Sequence, residues 1–148
     1  MPVYPLEWML PQERGSYPHM AKNDAVLWER FMDAYGGNYN RFAYDVALGG
    51  YKPDAGAGDE ATRLGFQYAT ALKIDAVGER PDDVWIIEVR PHAGVSAVGA
   101  ALCYQLLAGV DKFTDKPLVA CVLTDRASPD IRYCCEALEV VLIEMEVE

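Results

Sequence analysis

The apolar and polar positions of the chain form a helical pattern after a proline-rich start. Apolar residues recur there every three or four positions, at Leu27, Trp28, Phe31, Met32 and Tyr35. Asn23 or Asp24 is a suitable N-cap for this segment, and Gly36-Gly37 is suited to end it. The spacing therefore predicts an amphipathic helix from about residue 23 to residue 35.

The rest of the chain has the pattern of a sheet with two further helices. Strands are predicted over residues 40–49, 65–77, 84–90, 117–124 and 140–147. Helices are predicted over residues 95–108 and 129–138, with a loop over 49–60 and a turn over 78–83. The resulting order, α-β-β-β-α-β-α-β, puts a hairpin meander before a strand–helix–strand crossover. It predicts an α/β domain with a mixed central sheet flanked by helices.

Composition divides the 148 residues into an arm and one domain. Residues 1–22 are rich in proline and aromatic side chains, which predicts an extended arm that packs on its own domain or on a partner subunit. Residues 23–148 are enough for a single domain with a sizeable core. No apolar run reaches the roughly 18 residues of a membrane helix. The first residues also lack the pattern of a signal peptide, so we expect a cytoplasmic protein without membrane contact.

The charge balance disfavours a nucleic-acid surface, and the cysteines disfavour a zinc site. The formal charge is −10, from 23 acidic and 13 basic residues, and no basic stripe is visible. Binding to phosphates usually requires such a stripe, although a cleft can be basic on an acidic protein. The four cysteines, none in a C-x-x-C pair, are Cys103, Cys121, Cys134 and Cys135. Zinc-ligand spacing is missing, so we expect reduced thiols.

Four charged residues alternate on the two predicted strands around the 78–83 turn. Lys73 and Asp75 share one face of the first strand, and Glu88 and Arg90 share one face of the second. If the hairpin is centred on residues 81–82, Asp75 lies opposite Glu88 and Lys73 lies opposite Arg90. All four side chains then project together from the middle of the sheet.

Two arrangements would make such charges tolerable inside a sheet. In the first, Mg²⁺ relieves the repulsion between Asp75 and Glu88, because it prefers oxygen ligands and leaves room for water and a phosphate. In the second, Asp75 pairs with Arg90 and Glu88 pairs with Lys73 in a diagonal lattice of ion pairs. The second arrangement needs neither metal nor substrate.

The motif formed by Asp75, Ile86-Ile87 and Glu88-Val89-Arg90 resembles the PD-(D/E)XK superfamily of restriction-endonuclease-like folds. The resemblance implies a restriction-endonuclease-like core over residues 23–147, with the metal bound by an acidic residue on one strand and by an E-x-K motif on the next. Gln105, in Tyr104-Gln105-Leu106-Leu107, is similar to the helical glutamine of the exonuclease-like branches. Glu29 is the counterpart of an additional acidic residue that some members carry on the first helix.

Arg90 departs from the family pattern, in which a lysine stands at this position. Arginine keeps the charge, yet it never deprotonates and pairs strongly with carboxylates. It can clamp a phosphate, or it can occupy the metal position itself. Lys73, on the same face, is a candidate for a migrated catalytic lysine, as occurs in the family.

Two functions follow from these observations. The first is a non-catalytic or impaired nuclease-fold protein that acts as an assembly subunit, with a homo-oligomer or protein partner bound through the N-terminal arm. Tyr17-Pro18-His19-Met20 and Trp28-Glu29-Arg30-Phe31 are similar to segments of short phage-encoded proteins, which implies a virion neck or head-tail adaptor component. The alternative is a Mg²⁺-dependent DNA endonuclease or exonuclease, with Asp75, Glu88, Arg90, Gln105 and Lys73 as its catalytic residues.

Overall fold

The structure, a computed structural model, describes residues 1–146 as an α/β fold. Its α-helices are α1 (Lys22–Tyr35), α2 (Glu60–Thr70), α3 (Val95–Asp111) and α4 (Pro129–Ala137), and a 3₁₀ turn covers Gly36–Asn38. Its strands are β1 (Arg41–Leu48), β2 (Leu72–Glu79), β3 (Val84–Val89), β4 (Leu118–Thr124) and β5 (Val141–Glu144). No helix within residues 1–146 is long and apolar enough to cross a bilayer.

The five strands form one mixed sheet, in the spatial order β1-β2-β3-β4-β5. The first three strands pair antiparallel, while β3, β4 and β5 pair in parallel through the α3 and α4 crossovers. One face of the sheet packs against α1, and the other packs against α3 and α4. The mixed sheet flanked by helices is therefore confirmed.

Helix α1 is held on the sheet by aromatic packing, as its apolar spacing predicted. Trp28 and Phe31 are fully buried, and the Trp28 ring meets Phe42 of β1 edge-on at 5.4 Å. Burial of each such side chain stabilises the fold by roughly 1.5–3 kcal/mol. The helix begins at Lys22, and its N-cap position is Ala21 rather than Asn23 or Asp24.

Helix α2 corrects the predicted element order, because the pattern predicted a loop to residue 60 and a strand from residue 65. Asp59 caps this helix by accepting a hydrogen bond from the Thr62 backbone N–H at 2.8 Å. None of its residues is fully buried. Leu64, Phe66 and Tyr68 also recur at every second position, which is the spacing of a strand, and this explains why the pattern indicated a strand there. The true order is α-β-α-β-β-α-β-α-β, with β2 beginning at Leu72.

The N-terminal arm packs on its own domain, along the outer edge of β1. Met9 and Phe42 exchange two backbone hydrogen bonds, and the Val3 N–H donates to the Ala47 carbonyl at 3.1 Å. Arg14 forms an ion pair with Asp33 of α1 at 2.9 Å. The arm thereby covers the unpaired backbone groups of an edge strand.

The last strand is shorter than predicted. Strand β5 ends at Glu144, whereas the pattern predicted a strand from residue 140 to residue 147. The end of the predicted segment, Val147, lies outside the described residues.

Candidate functional site

Asp75 and Glu88 lie on adjacent strands in the predicted register. The β2–β3 ladder pairs Ala76 with Ile87, and continuing that register by one residue brings Asp75 opposite Glu88. The ladder stops at this point, and Asp75 Oδ2 accepts a hydrogen bond from the Val89 backbone N–H at 2.8 Å. A carboxylate therefore replaces a backbone carbonyl as the partner of this amide.

Arg90 pairs with Glu88 along the same strand. Its Nη2 atom lies 2.6 Å from Glu88 Oε2, and its Nη1 atom lies 3.4 Å from Ser96 Oγ at the start of α3. The Glu88 side chain is 3% exposed and that of Arg90 is 44% exposed, so the guanidinium reaches inward from solvent. Among residues 1–146, the predicted diagonal pairs of Asp75 with Arg90 and of Glu88 with Lys73 are not formed. The single ion pair between Glu88 and Arg90 therefore replaces the predicted diagonal lattice of ion pairs.

The environment of Glu88 favours its protonated form. Burial raises the pKa of Glu88 to about 8, and the neighbouring Asp75 carboxylate adds to the increase, while Arg90 opposes it. A carboxylate without water is destabilised, and a second carboxylate beside it repels its charge. The environment of Glu88 therefore favours a proton on this residue, which a metal ion could replace.

Two further polar residues, Asp24 and Tyr104, lie close to this pair. The pKa of Asp24, in the first turn of α1, is raised by burial and by the charge of Asp75. Burial raises the pKa of Tyr104, on α3, to about 12, and the charges of Glu88 and Asp75 contribute. The sequence offered Asp24 only as a helix cap and Tyr104 only as the neighbour of Gln105. Their proximity comes from helices that pack on opposite faces of the sheet.

Gln105 does not reach Glu88. Its Nε2 atom donates to the Leu118 carbonyl at 2.9 Å, and Leu118 pairs with Val84 at the beginning of β3. Glu88 lies four residues farther along that strand, which is roughly 13 Å at the usual rise of a strand. In this structure Gln105 therefore ties α3 to the start of β4.

Lys73 and Glu29 also have other partners. The Lys73 Nζ atom lies 4.4 Å from the centroid of the Tyr68 ring, in a cation–π contact. Glu29 is paired with Arg14 of the arm. The structure thus brings Asp75, Glu88 and Arg90 together and leaves Lys73, Gln105 and Glu29 outside their contacts.

A cavity of about 430 Å³ separates the arm from the sheet and gives access to Asp75. Asp45 lines the same cavity, where it accepts a hydrogen bond from the Tyr68 hydroxyl and lies 3.4 Å from His19 Nε2. Within residues 1–146, no group of three or more His, Cys, Asp or Glu side chains is arranged to hold a metal ion. The protein ligands for a metal at this site would therefore come from the Asp75–Glu88 pair.

Comparisons with known proteins support the fold but do not indicate an activity. No family model and no curated protein matches the sequence. Among solved structures, the chain is similar to the crystal structure of a protein of unknown function, AF1548, with a TM-score of 0.50 and 14% sequence identity. The match covers 79% of this chain and 56% of that chain, so this chain spans little more than half of its structural relative. At this level of identity the likeness shows the α/β fold alone.

Proposed function

We propose that the chain is a Mg²⁺-dependent phosphodiester hydrolase acting on DNA, built on a PD-(D/E)XK-type core. The observation that carries this proposal is the pair of carboxylates, Asp75 and Glu88, at the end of the β2–β3 ladder with Arg90 beside them. Buried charges without a structural need are costly. Ionisable groups whose pKa is shifted by burial and by a specific neighbour are typical of functional sites.

The strand topology supports a restriction-endonuclease-like core. An antiparallel β1–β2–β3 meander is followed by the α3 crossover to a parallel β4, which is the order expected of that core. Helix α2 is then an insertion between β1 and β2. In this proposal, Asp75 on β2 and Glu88 on β3, with Arg90 just after that strand, correspond to the site residues that the family carries on these strands.

The residues of this site suit a magnesium ion. Asp75 and Glu88 provide the carboxylate oxygens that Mg²⁺ prefers, and water and a phosphate would complete its coordination. Burial and the neighbouring Asp75 carboxylate raise the pKa of Glu88, and Arg90 opposes the increase; a divalent cation would stabilise both carboxylates. A bound Mg²⁺ ion would polarise a phosphodiester and lower the pKa of the attacking water.

Arg90 has the role of a phosphate clamp in this proposal. Its guanidinium is partly exposed and held between Glu88 and Ser96, so one edge remains open to a ligand oxygen. Arginine binds phosphate oxygens in a bidentate manner, but it cannot accept a proton from water. We therefore expect slow hydrolysis compared with a site that carries lysine.

Calorimetric titration and DNA nicking test the proposal. Mg²⁺ or Mn²⁺ should bind the wild-type protein and support nicking of supercoiled plasmid, and Asp75→Asn should abolish both. Asp82→Asn, an exposed residue of the β2–β3 turn, is the matched control and should retain both. Nicking that persists in Asp75→Asn would indicate a contaminating nuclease and would overturn the proposal.

The second candidate is an impaired nuclease-fold protein that serves as an assembly subunit, such as a virion neck or head-tail adaptor component. The observation in its favour is the 2.6 Å pair between Arg90 and Glu88, which places a fixed positive charge on a metal ligand. The net charge of −10 also disfavours DNA binding. Under this proposal, the wild-type protein neither binds Mg²⁺ nor cuts DNA. Nicking that appears only in Arg90→Lys would show that the arginine alone had silenced the site.

A further inference from the structure

The outer face of helix α3 is apolar and exposed to solvent. Three of its side chains are among the most exposed apolar ones in the described chain, with Val95 at 79%, Leu106 at 72% and Val110 at 74%. Gly99 and Cys103, which are also exposed, complete the same helical stripe. We call this stripe of Val95, Gly99, Cys103, Leu106 and Val110 the α3 outer face.

The whole of α3 lacks charge until its last residue. Residues 95–110 contain no Asp, Glu, Lys or Arg, although 24% of the chain is charged. The inner face of the helix packs on β3 and β4 through Ala97, Val98 and Ala101. A helix that is apolar on all sides is normally buried on all sides. In a single copy of this chain, one side of α3 has no such cover.

We propose that the α3 outer face binds a second copy of this chain, with the two α3 helices antiparallel about a two-fold axis. An axis next to Leu102 and Cys103 would pair Val95 with Val110 of the other copy. It would also place Leu106 of one copy opposite Gly99 of the other. A Cβ atom added at Gly99 would meet nothing within 4 Å in its own chain, so the space above this glycine is open to a partner's side chain.

The absence of charge along residues 95–110 makes the α3 outer face a place where two acidic copies can meet. Two molecules of net charge −10 repel each other wherever their acidic surfaces meet. Along residues 95–110 of α3, contact between two copies brings no carboxylates together. Symmetric dimers join the same patch on both subunits, and this stripe is complementary to itself with large residues opposite small ones.

The available area is suited to a small homodimer. The stripe extends over about 24 Å of helix, and α4 packs on the same face of the sheet. Tyr133 of α4 and Leu138, at its C-terminal end, are 74% and 50% exposed and are further apolar side chains in the helix layer that contains α3. A stable interface needs about 800 Å² from each partner, so the contact between two copies must extend beyond the α3 outer face to neighbouring exposed residues. This inference is independent of the proposed nuclease activity.

Sedimentation velocity of the full chain over a concentration series tests the dimer. The wild-type protein should sediment as a dimer, and Leu106→Glu should weaken association by roughly a hundredfold, because a carboxylate would be buried without a partner. Gly99→Trp should have the same effect by filling the space for Leu106 of the other copy. Phe66→Glu, at an exposed apolar position on α2, is the control and should remain dimeric.

Cross-linking through Cys103 tests the geometry without altering the interface. In Cys134→Ser, Cys103 is the remaining exposed cysteine of the described chain, and a short bismaleimide should link two copies through it. A wild-type protein that stays monomeric overturns the proposal. This holds also if the monomer binds a different protein. A dimer that survives both Leu106→Glu and Gly99→Trp, or that Cys103 does not cross-link, also overturns it.

Discussion

Glu88 is the acidic side chain that the described fold buries most completely. It is 2% exposed, while Arg90, its ion-pair partner, extends into solvent. Burial favours the neutral acid, and the positive charge of Arg90 favours the carboxylate. The raised pKa of Glu88 shows that burial and the Asp75 charge together outweigh the arginine. The protonation of this one residue therefore couples the stability of the sheet to the chemistry of the site.

The stability of the metal-free protein should fall as the pH rises from about 5 to about 8. In this interval the folded state keeps a proton on Glu88 that the unfolded state has lost, so this residue's contribution decreases by up to about 1.4 kcal/mol per pH unit. Urea unfolding of the wild type and of Glu88→Gln at several pH values measures the effect. Glu88→Gln should lose the part of the pH dependence that comes from Glu88. Equal pH slopes of the unfolding free energy in the two proteins would contradict a raised pKa at Glu88.

Divalent metal should reverse this trend, because metal ligands must be deprotonated. We expect Mg²⁺ to raise the melting temperature more at pH 8.5 than at pH 6, where it competes with the proton on Glu88. Asp75→Asn should show no shift at either pH. A shift of equal size in the wild type and in Asp75→Asn would mean that the ion binds elsewhere.

At the scale of elements, α2 is attached to the fold by the loop that precedes it. The Gln67 Nε2 atom donates to the Gly49 carbonyl at 2.8 Å, and the Tyr51 N–H donates to Thr70 Oγ1 at 2.7 Å. Gly50, between these two contacts, has a φ of +86° and lies against the backbone of α2. Only glycine adopts this conformation at low cost, and only glycine fits the space.

Gly50→Ala should therefore destabilise the protein by about 2 kcal/mol or more, through strain and a steric clash. A Cβ atom at this position would lie 2.4 Å from the Gln67 carbonyl oxygen. Gly56→Ala is the control, since a Cβ atom there meets nothing within 4 Å, and it should change the stability by less than about 0.5 kcal/mol. Chemical denaturation of both variants makes the comparison. Similar values for the two would show that the loop does not hold α2 as described.

At the scale of the molecule, the arm is part of the domain. It covers the β1 edge and forms one wall of the cavity that gives access to Asp75. The sequence also allowed an arm that reaches a partner subunit, and assembly through the arm was expected on that basis. The described contacts of the arm are made within one chain, and assembly through the arm stays a prediction beside the proposed dimer on α3.

Deletion of residues 1–20 should lower the free energy of unfolding by roughly 3 kcal/mol or more, since buried apolar contacts and an edge-strand pairing are lost. It should leave the oligomeric state unchanged, because the α3 outer face is untouched. Denaturation and sedimentation of the deletion variant measure the two effects separately. Loss of the dimer with unchanged stability would instead assign assembly to the arm.

The alternation of side chains along two strands was enough to find Asp75, Glu88 and Arg90. Strand periodicity and the length of one tight turn determine which residues face each other, and both are local properties of the chain. The same holds for α1, whose apolar spacing identified Trp28 and Phe31 as core residues. The mixed sheet then followed from the predicted meander and crossover.

Tertiary packing decided which residues of separate elements lie close together, because local periodicity does not encode the distance between elements. It put Tyr104 and Asp24 near the carboxylates and directed Gln105 to the start of β4. It also made residues 60–70 a helix, where the apolar alternation of Leu64, Phe66 and Tyr68 fits a strand as well. The pKa of Glu88 likewise depends on burial by the surrounding sheet and helices, and only the folded chain provides that burial.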